Sequence, residues 1–268
     1  RQRQMCIRDR IHIDQFSPLK FDLYESNIDP YLRFTHKMEI KMAGWVKVNN
    51  ITQDNDMSRC QHNYICNYTN VKPYDKQDIC NMTIGSWDIE AFSYSSRHLN
   101  INEFPNPENP LDIITQIGTS LYKFGTKEKI KHVVTIKSPI DNDCDPVDGV
   151  VIETYDSEKE LIEGWVKFIM HTDPDILVQY NGYGFDWAYI YARAKVLDIE
   201  YVLQNLSRIE SKPAEFFESR LSTSAYGDNT MKYMKTHGIT QFDLMFIIKK
   251  EHKPVSYTHL TLPTSHNV

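Results

Sequence analysis

Polar and apolar positions alternate along Trp87-Asp88-Ile89-Glu90-Ala91-Phe92, and a period of two marks a half-buried strand. Asp88 and Glu90 then share one face, while Trp87, Ile89 and Ala91 point into a core. Ile113–Tyr122, His132–Ile136 and Val150–Tyr155 have the composition of neighbouring strands. Further on the period changes. Leu161, Ile162, Trp165, Val166 and Ile169 recur at three-and-four spacing, which predicts a helix opened by the capping box of Ser157 and Glu160 and stopped by His171-Thr172-Asp173-Pro174. An apolar run ending at Asn181 and a Gly182-Tyr183-Gly184 turn come next. Trp187, Ile190, Tyr191, Ala194 and Leu197 then predict a second helix beginning near Asp186. A row of strands followed by helix, strand, helix predicts an α/β domain.

The region before this domain reads differently. Phe21–Tyr24, an alternating Tyr31-Leu32-Arg33-Phe34 and Gly44–Val48 predict strands, with a turn at Asn27–Pro30. After a polar stretch from Asn49 to Ser58, strand-forming residues return at Tyr64–Val71, and Pro73–Asp78 makes a boundary. The expectation is a β-rich domain over residues 11–78 and a second domain over 79–254. Beyond Leu197 the pattern is irregular until Gln241–Ile248, a strand or a helix start.

The two ends carry their own signal. Met5-Cys6-Ile7-Arg8-Asp9 can be encoded by ATGTGTATAAGAGAC, whose reverse complement encodes Val-Ser-Tyr-Thr-His, the residues at Val255–His259. An inverted copy at opposite ends is the mark of a translated sequencing-library adapter, so residues 1–10 and 255–268 are expected to be scars.

Hydrophobic residues make up 41 % of the chain and aromatics 12 %, enough for a buried core. No apolar run is long enough to span a membrane, and no secretory pattern opens the chain. Apart from Cys6, the cysteines Cys60, Cys66, Cys80 and Cys144 are irregularly spaced, which favours reduced thiols over a disulfide framework. Cys60, His62 and Cys66 lack the paired spacing of a zinc site. The net charge is −6, and the first ten residues hold four Arg against one Asp, leaving about −9 on the remainder. Such a chain cannot grip nucleic acid by phosphate neutralisation alone.

An Asp-x-Glu pair on a strand is a platform for a hard cation, although alone it is as often a solvated face. A second stretch gives the pair its meaning. Asp88-Ile89-Glu90, then about ninety residues, then Tyr180-Asn181 and Phe185-Asp186 at a strand-to-helix corner resemble the first and second exonuclease motifs of family B DNA polymerases. Tyr24–Asp29, Leu32-Arg33-Phe34 and Gly44-Trp45 resemble the N-terminal domain of delta-type polymerases. Leu221–Asn229 resembles a segment found in polymerases of large DNA viruses.

The resemblance implies a ribonuclease-H-like fold, a mixed sheet flanked by helices, and a 3′-5′ exonuclease that proofreads during replication. It implies two Mg²⁺ or Mn²⁺ ions held by Asp88, Glu90 and Asp186: Asp88 bridging both, Glu90 on the catalytic one, Asp186 on the other through water. Asn181 and Phe185 would meet the substrate, and Phe104 would stack on a base of the frayed 3′ strand, unless it merely packs on its own prolines. Asp243 corresponds to a strand without a catalytic role. By the same resemblance the family's third motif, a Tyr three residues before an Asp, is expected further along than this sequence reaches, so the chain by itself is expected to be a poor nuclease. The implied partners are DNA, at a single-stranded 3′ end or a primer-template, the rest of a polymerase chain and a sliding clamp, with no membrane. The implied location is a nuclear or cytoplasmic viral replication site, not the secretory route. A free-standing exonuclease of this fold, or an inactive nucleic-acid-binding or assembly domain, are the alternatives.

Overall fold

Contacts divide the chain into two units, residues 1–55 with 62–78, and residues 56–61 with 79–268. The computed structural model describes residues 10–11, 19–20, 27–54, 57–99, 102–137, 144–223 and 227–252. The expected strand at Phe21–Tyr24 lies outside them, as do the expected terminal scars apart from Arg10.

The first unit runs β1 (Arg10–Ile11), β2 (Leu19–Lys20), α1 (Pro30–Lys37), β3 (Val46–Val48), β4 (Thr52–Gln53), β5 (Tyr64–Ile65) and β6 (Val71–Pro73). Its strands are short and pair two by two, β1 with β2, β3 with β6 and β4 with β5, all antiparallel. The alternation at Tyr31–Phe34 is helical rather than extended, which corrects the sequence reading. Asp29 caps the helix by accepting the Tyr31 N–H at 2.8 Å, and Pro30 takes the first helical position, where no donor is needed. A start signal of that strength outweighs four residues of period two.

The second unit runs β7 (Thr83–Ala91), α2 (Tyr94–His98), β8 (Ile114–Lys123), β9 (Lys129–Ile136), β10 (Val150–Tyr155), α3 (Glu158–Thr172), β11 (Ile176–Gln179), α4 (Asp186–Val196), α5 (Glu200–Gln204), β12 (Glu215–Thr223), β13 (Gly227–Lys235), β14 (Thr240–Asp243) and α6 (Leu244–His252). Six of these strands form one mixed sheet in the order β10-β9-β8-β7-β11-β14. The meander β7-β8-β9 is antiparallel, and β10, β11 and β14 each join in parallel. This is the expected α/β architecture, a mixed sheet flanked by helices.

Each element follows from its own residues. In α3 Ser157 accepts the Glu160 N–H at 3.3 Å, and the Glu160 carboxylate reaches back to the Asp156 N–H at 3.1 Å. The stripe Leu161, Ile162, Trp165, Val166 and Ile169 is fully buried. At the sheet's centre Trp87 of β7 meets Trp165 of α3 and Trp187 of α4, with ring centroids 4.6 and 4.7 Å apart. The region after Leu197 is more regular than its sequence implies. It holds α5 and a hairpin of two nine-residue strands, β12 and β13, and Leu221–Asn229 spans the tip of that hairpin, with Ser224–Tyr226 outside the described residues.

Candidate active site

β11 pairs with β7 only over Ile84–Ser86, so the β7 edge from Trp87 onward has no strand beside it. After Gln179 the chain makes a tight turn, and the first residue of α4 arrives at that open edge. There Asp186, only 3 % exposed, accepts the Ile89 N–H at 3.2 Å, and Asp88 accepts the same N–H, also at 3.2 Å. Two carboxylates from points 98 residues apart in sequence thus converge on one amide.

The convergence is electrostatically costly. Burial pushes the Asp186 carboxyl up to about 8, and hydrogen bonding and repulsion from Asp88 add to the rise, against a smaller pull from backbone amides. Two like charges this close need a shared proton or a cation between them. The donor set is all oxygen, which suits Mg²⁺ or Mn²⁺, and the fit to a divalent cation rests on this crowded pair. Opposite Asp88 stands Gly118, where a methyl would meet nothing within 4 Å, so this flank is open.

Glu90 points to the same face as Asp88 but opens onto different surroundings. The β7-β8 register shifts between Glu90 and Ala91, a bulge of the kind that re-aims side chains. Glu90 lines a cleft of about 520 Å³ together with Phe92, Arg97, Phe104 and Phe185. Among the described residues no three acids lie close enough to hold one ion. The structure therefore brings Asp88 and Asp186 together and places Glu90 next along the strand, in the adjoining cleft.

Phe104 is 75 % exposed and meets Phe185 edge-on, with ring centroids 5.2 Å apart. Phe185 in turn tilts against Tyr189 at 5.3 Å. A solvent-facing ring held by a second aromatic is a surface on which a base could stack. Asn181 does not line this cleft. It adopts φ +62°, and its carbonyl accepts the N–H groups of Gly184 and Phe185 at 2.9 and 3.0 Å. At Gly182 a Cβ would meet the Gln179 amide, so a larger residue there would have to displace that side chain.

Asp243 fixes the turn from the far side. Buried at the end of β14, it accepts from the N–H groups of Asn181 at 2.9 Å, Tyr183 at 3.0 Å and Met245 at 2.9 Å. It is structural, and one carboxylate satisfies both the Asn181 turn and the start of α6. Burial pushes the neighbouring Tyr183 hydroxyl up to about 12, with Tyr233 and Asp243 contributing.

Several site-building residues escape the sequence reading, above all Asp112, Glu158, Tyr189 and Arg193. Arg193 falls on the buried side of α4, and an arginine in an otherwise apolar stripe was the signal available. Cys60, His62 and Cys66 form no metal group among the described residues.

An acid-edged mixed sheet with helices against it, and a carboxylate pair beside an aromatic cleft that Glu90 lines, define an exonuclease domain of the ribonuclease-H-like type. Residues 21–261 match the family described as DNA polymerase family B, exonuclease domain, and the chain belongs to that family. The DNA polymerase of Acanthamoeba polyphaga mimivirus is 28 % identical over 274 residues, covering 85 % of this chain and 15 % of the relative. The DNA polymerase delta catalytic subunit of Dictyostelium discoideum is 31 % identical over 245 residues, covering 89 % and 21 %. The DNA polymerase of Paramecium bursaria Chlorella virus NY2A is 27 % identical over 246 residues, covering 89 % and 26 %. The chain spans less than a third of the length of these curated relatives.

Proposed function

We propose that this chain is the proofreading part of a DNA-synthesising polymerase, removing nucleotides from DNA 3′ ends by metal-assisted phosphodiester hydrolysis. The observation that carries this reading is the meeting of Asp88 and Asp186 on the Ile89 amide, beside a cleft holding Glu90, Phe104 and Phe185. Two divalent ions bound there would supply charge neutralisation and an activated water. Asp88 and Asp186 would hold such ions at the strand edge, and Glu90 would add a third carboxylate from the cleft side. Phe104 and Phe185 receive the terminal base, a sequence-tolerant contact suited to an enzyme that must accept any 3′ end. Asn181 acts through the turn that delivers Phe185 and Asp186 to the cleft and the strand edge. The further partners are the remainder of the polymerase chain and a sliding clamp, at a nuclear or cytoplasmic viral replication site.

The absence of a three-acid group among the described residues favours a second reading for the chain on its own, binding of 3′ ends with little or no cleavage. One assay separates the two. Incubation of the purified chain with single-stranded DNA and Mg²⁺ is expected to give slow shortening from the 3′ end, stopped by a chelator and abolished by Asp88→Ala. Tight binding without shortening supports the second reading. Shortening that continues unchanged in Asp88→Ala overturns the catalytic assignment.

A further inference from the structure

The cleft beside the carboxylates has two walls that are not part of the sheet. One is α2 with the residues leading into it, including Ser93 and Arg97; the other is the loop that carries Phe104. A buried polar network ties both to the acid-bearing elements. Asp112, 3 % exposed, accepts at Oδ1 from the N–H of Tyr94, the first residue of α2, at 3.0 Å. Its Oδ2 accepts from the N–H of Asn106, two residues past Phe104, at 2.8 Å. One carboxylate therefore bridges the two walls.

The network continues into α4. The Tyr189 hydroxyl donates to the Asp112 carbonyl at 2.9 Å. Arg193 Nη1 donates to the carbonyls of Pro107 at 3.0 Å and Asn109 at 2.9 Å. Its Nε and Nη2 form a two-pronged pair with Glu158 at 2.8 and 2.6 Å, and Glu158 also accepts the N–H of Ile114, where β8 begins, at 2.9 Å. Asp186, Tyr189 and Arg193 stand at i, i+3 and i+7, on one face of one helix. The helix that brings Asp186 to the strand edge thus grips the Phe104 loop two turns later.

A buried Arg–Glu pair is a poor way to gain stability, since apolar residues of similar size often do as well. What it supplies is a fixed geometry. We propose that Asp112, Glu158 and Arg193 are positioning residues that set the Phe104–Phe185 aromatic surface at a defined place relative to Asp88, Glu90 and Asp186, so that the 3′-terminal base of single-stranded DNA stacks there in register with the acids. This rests on the exonuclease reading of the same site.

The test uses a single-stranded DNA oligonucleotide ending in 2-aminopurine, whose fluorescence is quenched when the terminal base stacks. The wild-type chain binds it and quenches it. Asp112→Asn, which cannot accept from both wall amides, loses most of the quench and binds about tenfold more weakly, the loss expected when one base–aromatic stack is released. The double variant Asp112→Asn/Phe104→Ala binds no more weakly than Phe104→Ala, because the network acts through that ring. If Asp112→Asn does not fold, Tyr189→Phe, which removes a single hydroxyl, carries the same cycle with a loss of about twofold to threefold. Wild-type quench in the network variant, or losses that simply add in the double variant, overturns the proposal while leaving the exonuclease reading intact. A wild-type chain that neither binds nor quenches overturns both.

Discussion

Asp186 links stability to function at the level of one carboxyl. Its folded value of about 8 lies above the ordinary 3.8, so the fold favours the protonated acid. That contribution is fully present below about 3.8, declines as the pH climbs, and is lost above about 8. In the metal-free chain, Asp186→Asn is therefore expected to raise the melting temperature at pH 8, by roughly 2–4 °C for a gain on the order of 1 kcal/mol, and to change it little at pH 4. Thermal melts of both proteins across that range check the sign. Mg²⁺ at pH 8 is expected to stabilise the wild type and not the variant, since the cation would do what the proton does at low pH. A wild type and variant whose difference in melting temperature is independent of pH would show that the Asp88–Asp186 repulsion is relieved some other way. Phe104 stands exposed and edge-on to Phe185, a geometry open to a stacking base.

Among elements, the turn between β11 and α4 decides where Asp186 arrives, and Asp243 holds that turn. Asp243→Ala leaves the N–H groups of Asn181, Tyr183 and Met245 without their acceptor. An orphaned donor costs about 1–3 kcal/mol when fully buried and less when, as here, it is partly buried, so a loss of about 1–3 kcal/mol in all is expected in a denaturant melt, together with weaker Mg²⁺ binding by calorimetry because the turn no longer aims Asp186. Asp243→Asn, which keeps one acceptor oxygen, should fall between. Much of this architecture is legible in the sequence. β7 and the stripe of α3 each bury one face, so their periods of 2 and 3.6 survive in the residues. The hairpin β12-β13 was not legible, because its packing is made by aromatic contacts such as Tyr191 on Phe216, stacked at 4.0 Å, and Tyr183 against Tyr233, rather than by alternation. The network of Asp112, Glu158 and Arg193 was hidden for a related reason, since its members come from a loop and two helices and no local spacing records their meeting.

For the whole molecule, charge constrains how DNA can be held. The chain carries −6 overall, and Lys and Arg number 30 against 36 acids, so no bulk positive field draws in a polyanion. The cleft lining offers Arg97 along with Glu90, Glu103 and three phenylalanines, Phe92, Phe104 and Phe185, which is a site for a base and a phosphate or two rather than a track for a long strand. Affinity should then come chiefly from stacking and from ions held by the acids, and only weakly from released counterions. For single strands the slope of log affinity against log salt is about −0.7 per neutralised phosphate, so one to three phosphates give a slope of about −1 to −2. Fluorescence anisotropy of a short 3′-ended oligonucleotide between about 50 and 200 mM salt, at fixed divalent ion, measures it. Extending the oligonucleotide at its 5′ side should leave both affinity and slope nearly unchanged, because only the 3′ end is gripped. A slope steeper than about −4, or affinity that keeps rising with length, would mean that a basic surface away from the cleft carries the binding, and the aromatic cleft would lose its place as the substrate site.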